Sequence, residues 1–347
     1  MKPRLSRVEL PVTLALLTAL ISGCAPGAPA VPTATTATLS TPTQGPAPAA
    51  SPSASADPAP LAIDPGDVDP EPPLELIWQG AEPSVETVPF HPSIDLQGRI
   101  WVGATGQNRF LLFDRDGEFI ESWGTAGSGD GELNFMLGPF GGIAIASDGG
   151  FYVSDSANRR VQKFTREREF VTAWGSFGTG DDQFLTPNEI AVDGDDNVYV
   201  HDDGLAVTKM FTSDGEFVRA YAEGSGPFIC VTPDGHVFAQ MWPSNVLNEY
   251  GPDGILVRSI DLTGLVALPR AGGVEVDDDG HIWISSVTEE GSRDDADKLI
   301  ELDRDGTLLH RWDGMAITQF AIDPEGDRLY AAFWQQPFLA AYAIPAD

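Results

Sequence analysis

Between residues 140 and 175 short apolar runs alternate with clusters of Gly, Asp, Asn and charged residues. The runs are 142–147, 150–154, 160–164 and 170–174. Runs of about five residues bounded by turn formers read as strands, and four joined this tightly predict an antiparallel meander. One such sheet cannot bury both faces, so further copies must stack on it.

Two marks locate those copies. An apolar residue closes each third strand ahead of a turn: Phe113 before DRDG, Phe164 before TRER, Phe211 before TSDG, Tyr250 before GPDG and Leu302 before DRDG. A large side chain ends each fourth strand: Trp123, Trp174, Tyr221, Ile260 and Trp312. The third-strand marks are separated by 51, 47, 39 and 52 residues, which is the period of propeller blades rather than of helical solenoids. A sixth copy has three strands, at 319–322, 328–332 and 338–342, and then the chain stops. The missing strand lies at the front, where 74–80, LELIWQG, matches 119–125, FIESWGT, with Trp78 in the place of Trp123. The expectation is an all-β, six-bladed β-propeller over 74–347, closed by the N-terminal strand 74–80 completing the last blade. Such closure removes open sheet edges.

The ends of the chain read differently. Residues 1–23 carry Lys2, Arg4 and Arg7 and then an apolar run from Val12 to Ile21, the order of a secretory signal and too short for a good membrane span. Ile21-Ser22-Gly23-Cys24 resembles the bacterial lipobox, whose cysteine is acylated and becomes the mature N-terminus. That resemblance implies a membrane-anchored lipoprotein of the bacterial cell envelope, facing the periplasm or the exterior. Residues 24–73 turn to Ala, Pro, Thr and Ser; such a stretch buries too little to order itself and reads as a disordered tether. Cys230, the second cysteine, lies in the apolar run Phe228-Ile229-Cys230-Val231 and reads as a small core residue rather than a catalytic thiol.

Net charge narrows the partners. At -32 the chain repels phosphate backbones, so nucleic acid is excluded, while cations and cationic partners are favoured.

The segment Asp155-Ser156-Ala157-Asn158-Arg159-Arg160-Val161 resembles the NHL repeat signature, D-x-x-N-x-R-V. The glycine-rich connectors before blades 2 and 3 resemble the loops that lead into NHL blades. Asp155, Asn158 and Arg160 read as a hydrogen-bonded corner tying strands together.

Candidate chemistry is sparse. The chain has no H-E-x-x-H, C-x-x-C, Walker loop, G-x-S-x-G elbow or dinucleotide fingerprint, so any active site must be assembled from several blades. Inner strands of a propeller line its channel, and the residues opening them are His91, Gly142, Glu189, Phe228, Gly273 and Gln319. Peptidyl-hydroxyglycine amidating lyases, which have similar rings, use three histidines there, of which only His91 matches. Thr186-Pro187-Asn188-Glu189 resembles the P-N-G segment of gluconolactonase and regucalcin-like enzymes, which hold a divalent ion. That resemblance carries over only to Asn188, with Glu189 in place of the glycine, and identifies no other ligand; by position His91, or His201 with Asp202 and Asp203 after the second strand of blade 3, is expected near the same mouth, where oxygen donors suit Ca²⁺ or Mg²⁺. The alternative is that Asn188 and Glu189 merely hydrogen-bond the loop and that His91 packs over the channel.

The acidic runs at 193–197, 277–280 and 303–306 lack the distal glutamate of a calcium loop and read as turns. The longest insertion, 288–297, contains Asp294, Asp295 and Asp297 and reads as an exposed loop that a partner would contact. Together these observations lean toward a binding module for a protein, peptide or glycan at the cell surface, with a metal-dependent lactonase-like hydrolase or lyase as the alternative.

Overall fold

The computed structural model describes residues 59–63, 68–80, 89–104, 106–135, 141–266, 271–286, 297–333 and 339–345. The expected signal, Cys24, the tether up to residue 58 and most of the 288–297 insertion lie outside the described residues.

Six four-stranded antiparallel meanders follow one another along the chain. Their inner strands are Pro89–Ile94, Ile143–Ile145, Pro187–Val192, Ser225–Val231, Ala271–Val276 and Ile317–Ile322. Each inner strand contacts the next, and the sixth returns to the first, so the sheets form the ring of a six-bladed β-propeller. In the sixth blade the outer strand is Leu76–Gly80, antiparallel to Leu339–Ala343, with Trp78 opposite Ala341. Among the described residues there is no α-helix; the one helical turn is 3-10, Ser156–Asn158.

The core lies between the blades. Six apolar clusters fill the six interfaces: Trp101, Phe110 and Phe151 between blades 1 and 2, for example, and Val102, Tyr330 and Leu339 between blades 6 and 1. Period-two alternation in every strand supplies one layer to each neighbour.

The two sequence marks have a common purpose. In four blades the large side chain ending the outer strand, Trp78, Trp174, Tyr221 or Ile260, packs on the glycine turn between the third and outer strands of the following blade. Gly117 adopts φ +85°, and a Cβ there would sit 2.5 Å from the Trp78 ring; Gly215 meets Trp174 in the same way at 2.6 Å. The indole Nε1 of Trp78 also donates to Arg115 O at 2.8 Å. Trp78→Ala removes the lid of the last interface, and we expect it to cost about 2–4 kcal/mol, read as a lowered denaturant midpoint.

Turns between the inner and second strands share a second device. Asp95 accepts backbone N–H groups from Gln97 and Arg99 and the indole N–H of Trp101 at 2.8 Å. Asp193 repeats this with Asp195, Asn197 and Tyr199, and Asp277 with Asp279, His281 and Trp283. The acidic runs at 193–197 and 277–280 are therefore Asx turns whose free oxygen anchors a buried ring.

One segment departs from its expected character. Residues 59–63 and 68–73, counted as tether from composition, lie against the propeller. Leu61–Ala62 pairs in parallel with the outer strand of blade 4, Ile63 and Val68 pack on the blade 4–5 core, and Glu71 N donates to Arg311 O on blade 5 at 2.7 Å. The segment thus straps two consecutive blades before it enters the sixth. Two apolar side chains and a handful of backbone hydrogen bonds suffice here because the strap joins a preformed surface.

Candidate functional site

Bulges in the inner strands create the site at the channel. Strand register shifts between Phe90 and Ser93, Pro187 and Ile190, Ser225 and Ile229, Ala271 and Val274, and Ile317 and Gln319. A bulge re-aims the extra residue, and at this level the strands carry His91, Asn188, Glu189, Phe228, Gly273 and Thr318. His91 holds φ +48°, uncommon for a non-glycine residue.

His91, Glu189, Glu275, Cys230 and Gln319 face a cavity of about 110 Å³ lined by all six inner strands. His91 N donates to Gln319 Oε1 at 3.1 Å, and Gln319 Nε2 lies 2.8 Å from His91 Nε2. His91 Nδ1 is 3.6 Å from Glu189 Oε1, within ion-pair range, yet burial works against both charges. Burial pushes the imidazole down to about 4, against the opposing pull of Asp203. Burial, then the nearby Glu275 charge, pushes Glu189 well above the usual carboxylate range although it accepts Ile229 N–H. Glu275, partly exposed through the cavity, is raised by burial to about 8, with the Cys230 thiol as its hydrogen-bond donor at 3.8 Å. The Cys230 thiol is itself pushed up by burial and by Glu275, so it is held as a neutral thiol. Phe228 is half-buried, and its strand lines the cavity with Ile229, Cys230 and Val231 instead.

Asn188 and His201 meet elsewhere, at Asp203. Asn188 Nδ2 donates to Asp203 Oδ2 at 3.0 Å, and His201 Nε2 lies 3.3 Å from Asp203 Oδ1, while its Nδ1 contacts Thr208 Oγ1 at 3.3 Å. Adjacent residues on a strand point to opposite faces, so Asn188 and Glu189 part company. Asp202 is a clamp: its carboxylate accepts the N–H groups of Leu185, Thr186 and Gly204 at 2.7–3.0 Å. The single ligand set expected at the mouth is divided into a channel group, a group at Asp203 and a structural carboxylate.

That clamp has its counterpart in blade 2. Asp155, fully buried, accepts Asn134 N–H at 2.7 Å, Arg160 Nε at 2.8 Å, Gln162 Nε2 at 3.0 Å and Asn158 Nδ2 at 2.9 Å. Arg160 also donates to Gly129 O and Glu132 O, so the corner ties the glycine-rich connector to its blade.

Sequence reasoning missed Glu275 and a second, larger site. A groove of about 630 Å³ opens between blades 5 and 6 at the other end of the inner strands. Its walls carry Glu71, Glu275, Asp277, Glu301, Asp323, His281 and His310 beside Trp283 and Trp312, whose rings stack 5.5 Å apart at 8°. Glu275 lines both cavities. The available signal was the pair His281 and His310, each the lone imidazole of an acidic neighbourhood.

The fold and the blade 2 corner define the class: a six-bladed propeller carrying an NHL repeat. The family model for that repeat matches residues 141–164. Protein brain tumor of Drosophila melanogaster is 30% identical over 185 residues, which is 52% of this chain and 13% of that protein, so the chain spans only a small part of that relative. Virginiamycin B lyase from Staphylococcus aureus superposes with a TM-score of 0.53 at 12% identity, over 77% of this chain and 99% of the lyase. A gluconolactonase from Xanthomonas campestris gives 0.57 at 16% identity, over 80% and 99%. At these identities the likeness to the two enzymes is one of fold.

Proposed function

We propose that the protein is a binding module held at a bacterial cell envelope through acylated Cys24, taking a protein, peptide or glycan ligand, with cationic peptide segments favoured. The observation that carries this reading is the difference between the two cavities. The channel offers about 110 Å³, below the roughly 300 Å³ at which small-molecule pockets begin, and its polar groups contact one another. The groove between blades 5 and 6 offers about 630 Å³ with an acidic, aromatic wall suited to Lys and Arg side chains.

The lactonase-like alternative has less support. Hard cations take six to eight oxygen ligands, whereas His91, Asn188, Glu189, His201 and Asp202 are divided among three environments. The described channel residues do not bring together an oxygen set that fits Ca²⁺ or Mg²⁺.

The test is binding of short Lys- and Arg-rich peptides, measured by quenching of intrinsic tryptophan fluorescence against acidic peptides of equal length. Preference for the basic set supports the reading, and equal or absent binding refutes the ligand class. Cys24→Ser is expected to move the protein from the membrane fraction to the soluble fraction; unchanged membrane retention would sink the anchor.

A further inference from the structure

We propose that Asp277, His281 and Glu301 form a site for one divalent transition-metal ion, of the zinc or cobalt type, in the wall of the groove between blades 5 and 6. The ligand atoms of the three residues all lie within 4.8 Å of one another. His281 Nδ1 is 2.8 Å from Glu301 Oε1 and 3.7 Å from Asp277 Oδ2. Bonds of about 2.0–2.2 Å to an ion place neighbouring ligands about 3–3.5 Å apart, so the three need only small adjustments to close on one.

The frame that holds them is rigid. Asp277 is fixed by the Asx turn through Oδ1, and its Oδ2 accepts Trp283 Nε1 at 2.9 Å, the kind of outer partner that orients a carboxylate ligand. Glu301 is buried on the third strand, 5% exposed. Trp312 lines the groove, and its Nε1 is a buried donor with no hydrogen-bond partner among the described residues, available to a ligand or a metal-bound water.

Blade 4 supplies the internal control. There His236 Nδ1 lies 2.7 Å from Glu249 Oε1, the same imidazole–carboxylate pair. At the turn, however, Thr232 stands in the place of Asp277, its Oγ1 accepting the His236 N–H at 3.1 Å. Across the strand Glu249 faces Arg258, whose Nε is 2.5 Å from Glu249 Oε2. At the corresponding register Glu301 faces His310. Blade 5 thus exchanges Thr for Asp and Arg for His on an otherwise shared frame, which converts a guanidinium-bound pair into a mixed nitrogen and oxygen donor set. The imidazole selects transition ions over Ca²⁺ and Mg²⁺. The other acidic trio, Asp323, Glu325 and Asp327, already holds the Arg115 guanidinium at 3.1, 3.0 and 2.6 Å and offers no such place.

The inference stands apart from the peptide-binding reading, because the ion is titrated with no peptide present. Untagged, chelator-stripped full-length protein is titrated with Co²⁺, read by its visible absorption bands, and then competed with Zn²⁺. The expected result is one ion per chain, displaced by Zn²⁺ and not by an equal concentration of Ca²⁺. His281→Ala and Asp277→Asn are each expected to weaken binding at least about tenfold, Asp277→Asn also lowering the metal-free unfolding midpoint because Trp283 Nε1 loses its acceptor, and His236→Ala is expected to leave binding intact. Equal affinity in His281→Ala, or equal loss in His236→Ala, would overturn the assignment. Should His281→Ala fail to fold, Asp277→Asn alone decides.

Discussion

Asp155→Ala is expected to lower stability by about 3–5 kcal/mol, the largest effect of any single substitution outside the apolar core. The carboxylate is fully buried and collects donors from four residues on three segments. Removing it takes the acceptor from Arg160 Nε and from the Asn134 N–H, leaving the largely enclosed guanidinium charge to its carbonyl contacts with Gly129 and Glu132. Burial already raises the Asp155 carboxyl above its ordinary range, with the Asn158 and Arg160 bonds opposing. The net worth of the charge is therefore smaller than the cost of breaking the set. Asp155→Asn keeps the shape but turns one acceptor into a donor facing donors, and we expect about 2–4 kcal/mol. Denaturant unfolding measures both. Hydrogen exchange localises them: protection should fall first in the connector around 127–135, while Glu167→Ala, on an exposed turn, should change stability by less than about 0.5 kcal/mol.

Glu275→Gln should have the opposite sign and depend on pH. A carboxyl raised to about 8 in the folded chain keeps its proton while the unfolded chain loses it near 4.3. Below that value both states are protonated and the group contributes nothing. As pH climbs from about 4.3 to 8 the folded state binds more protons than the unfolded one, so stability falls by up to about 1.4 kcal/mol per pH unit. Cavity water moderates the cost, and we expect the glutamine variant to gain about 1–3 kcal/mol at pH 8 and nothing at pH 4. His91 has the reverse sense. Its imidazole, pushed down to about 4, costs stability as pH falls from about 6.5, so the glutamate effect is cleanest between pH 6.5 and 8. Thermal unfolding of wild type and Glu275→Gln across that window measures it, and parallel curves would refute it.

Much of the fold was legible because blades announce themselves twice, in period-two alternation and in the punctuation of Asp-Gly turns. Trp78 could be matched to Trp123 across the chain because each ends an outer strand and packs on the next blade, Trp78 on the Gly117 turn and Trp123 on Phe151 and Phe164. The site was less legible for a geometric reason. A bulge opens five of the six inner strands and changes which residue faces the channel, so Gly272-Gly273-Val274-Glu275 reads as simple alternation and hides Glu275. Asp202 looked like a ligand because blade 3 lacks the Asn and Arg that identify Asp155 as a clamp, although both carboxylates hold the loop leading into their blade. The groove was invisible for another reason: its walls come from two blades and from Glu71, which no local pattern joins.

The strap that crosses blades 4, 5 and 6 sets the timetable of assembly. Its last strand, Leu76–Gly80, pairs with Leu339–Ala343, near the opposite end of the chain, and contacts of such separation form slowly. Blades 1 to 5 have all their strands before that partner is made, whereas the sixth waits for the final residues. Until then the strap has only its footholds on blades 4 and 5, and the outer face of Leu339–Ala343 is an open edge. A chain shortened before residue 339 would keep most of its blades and still lack the latch that makes them a ring.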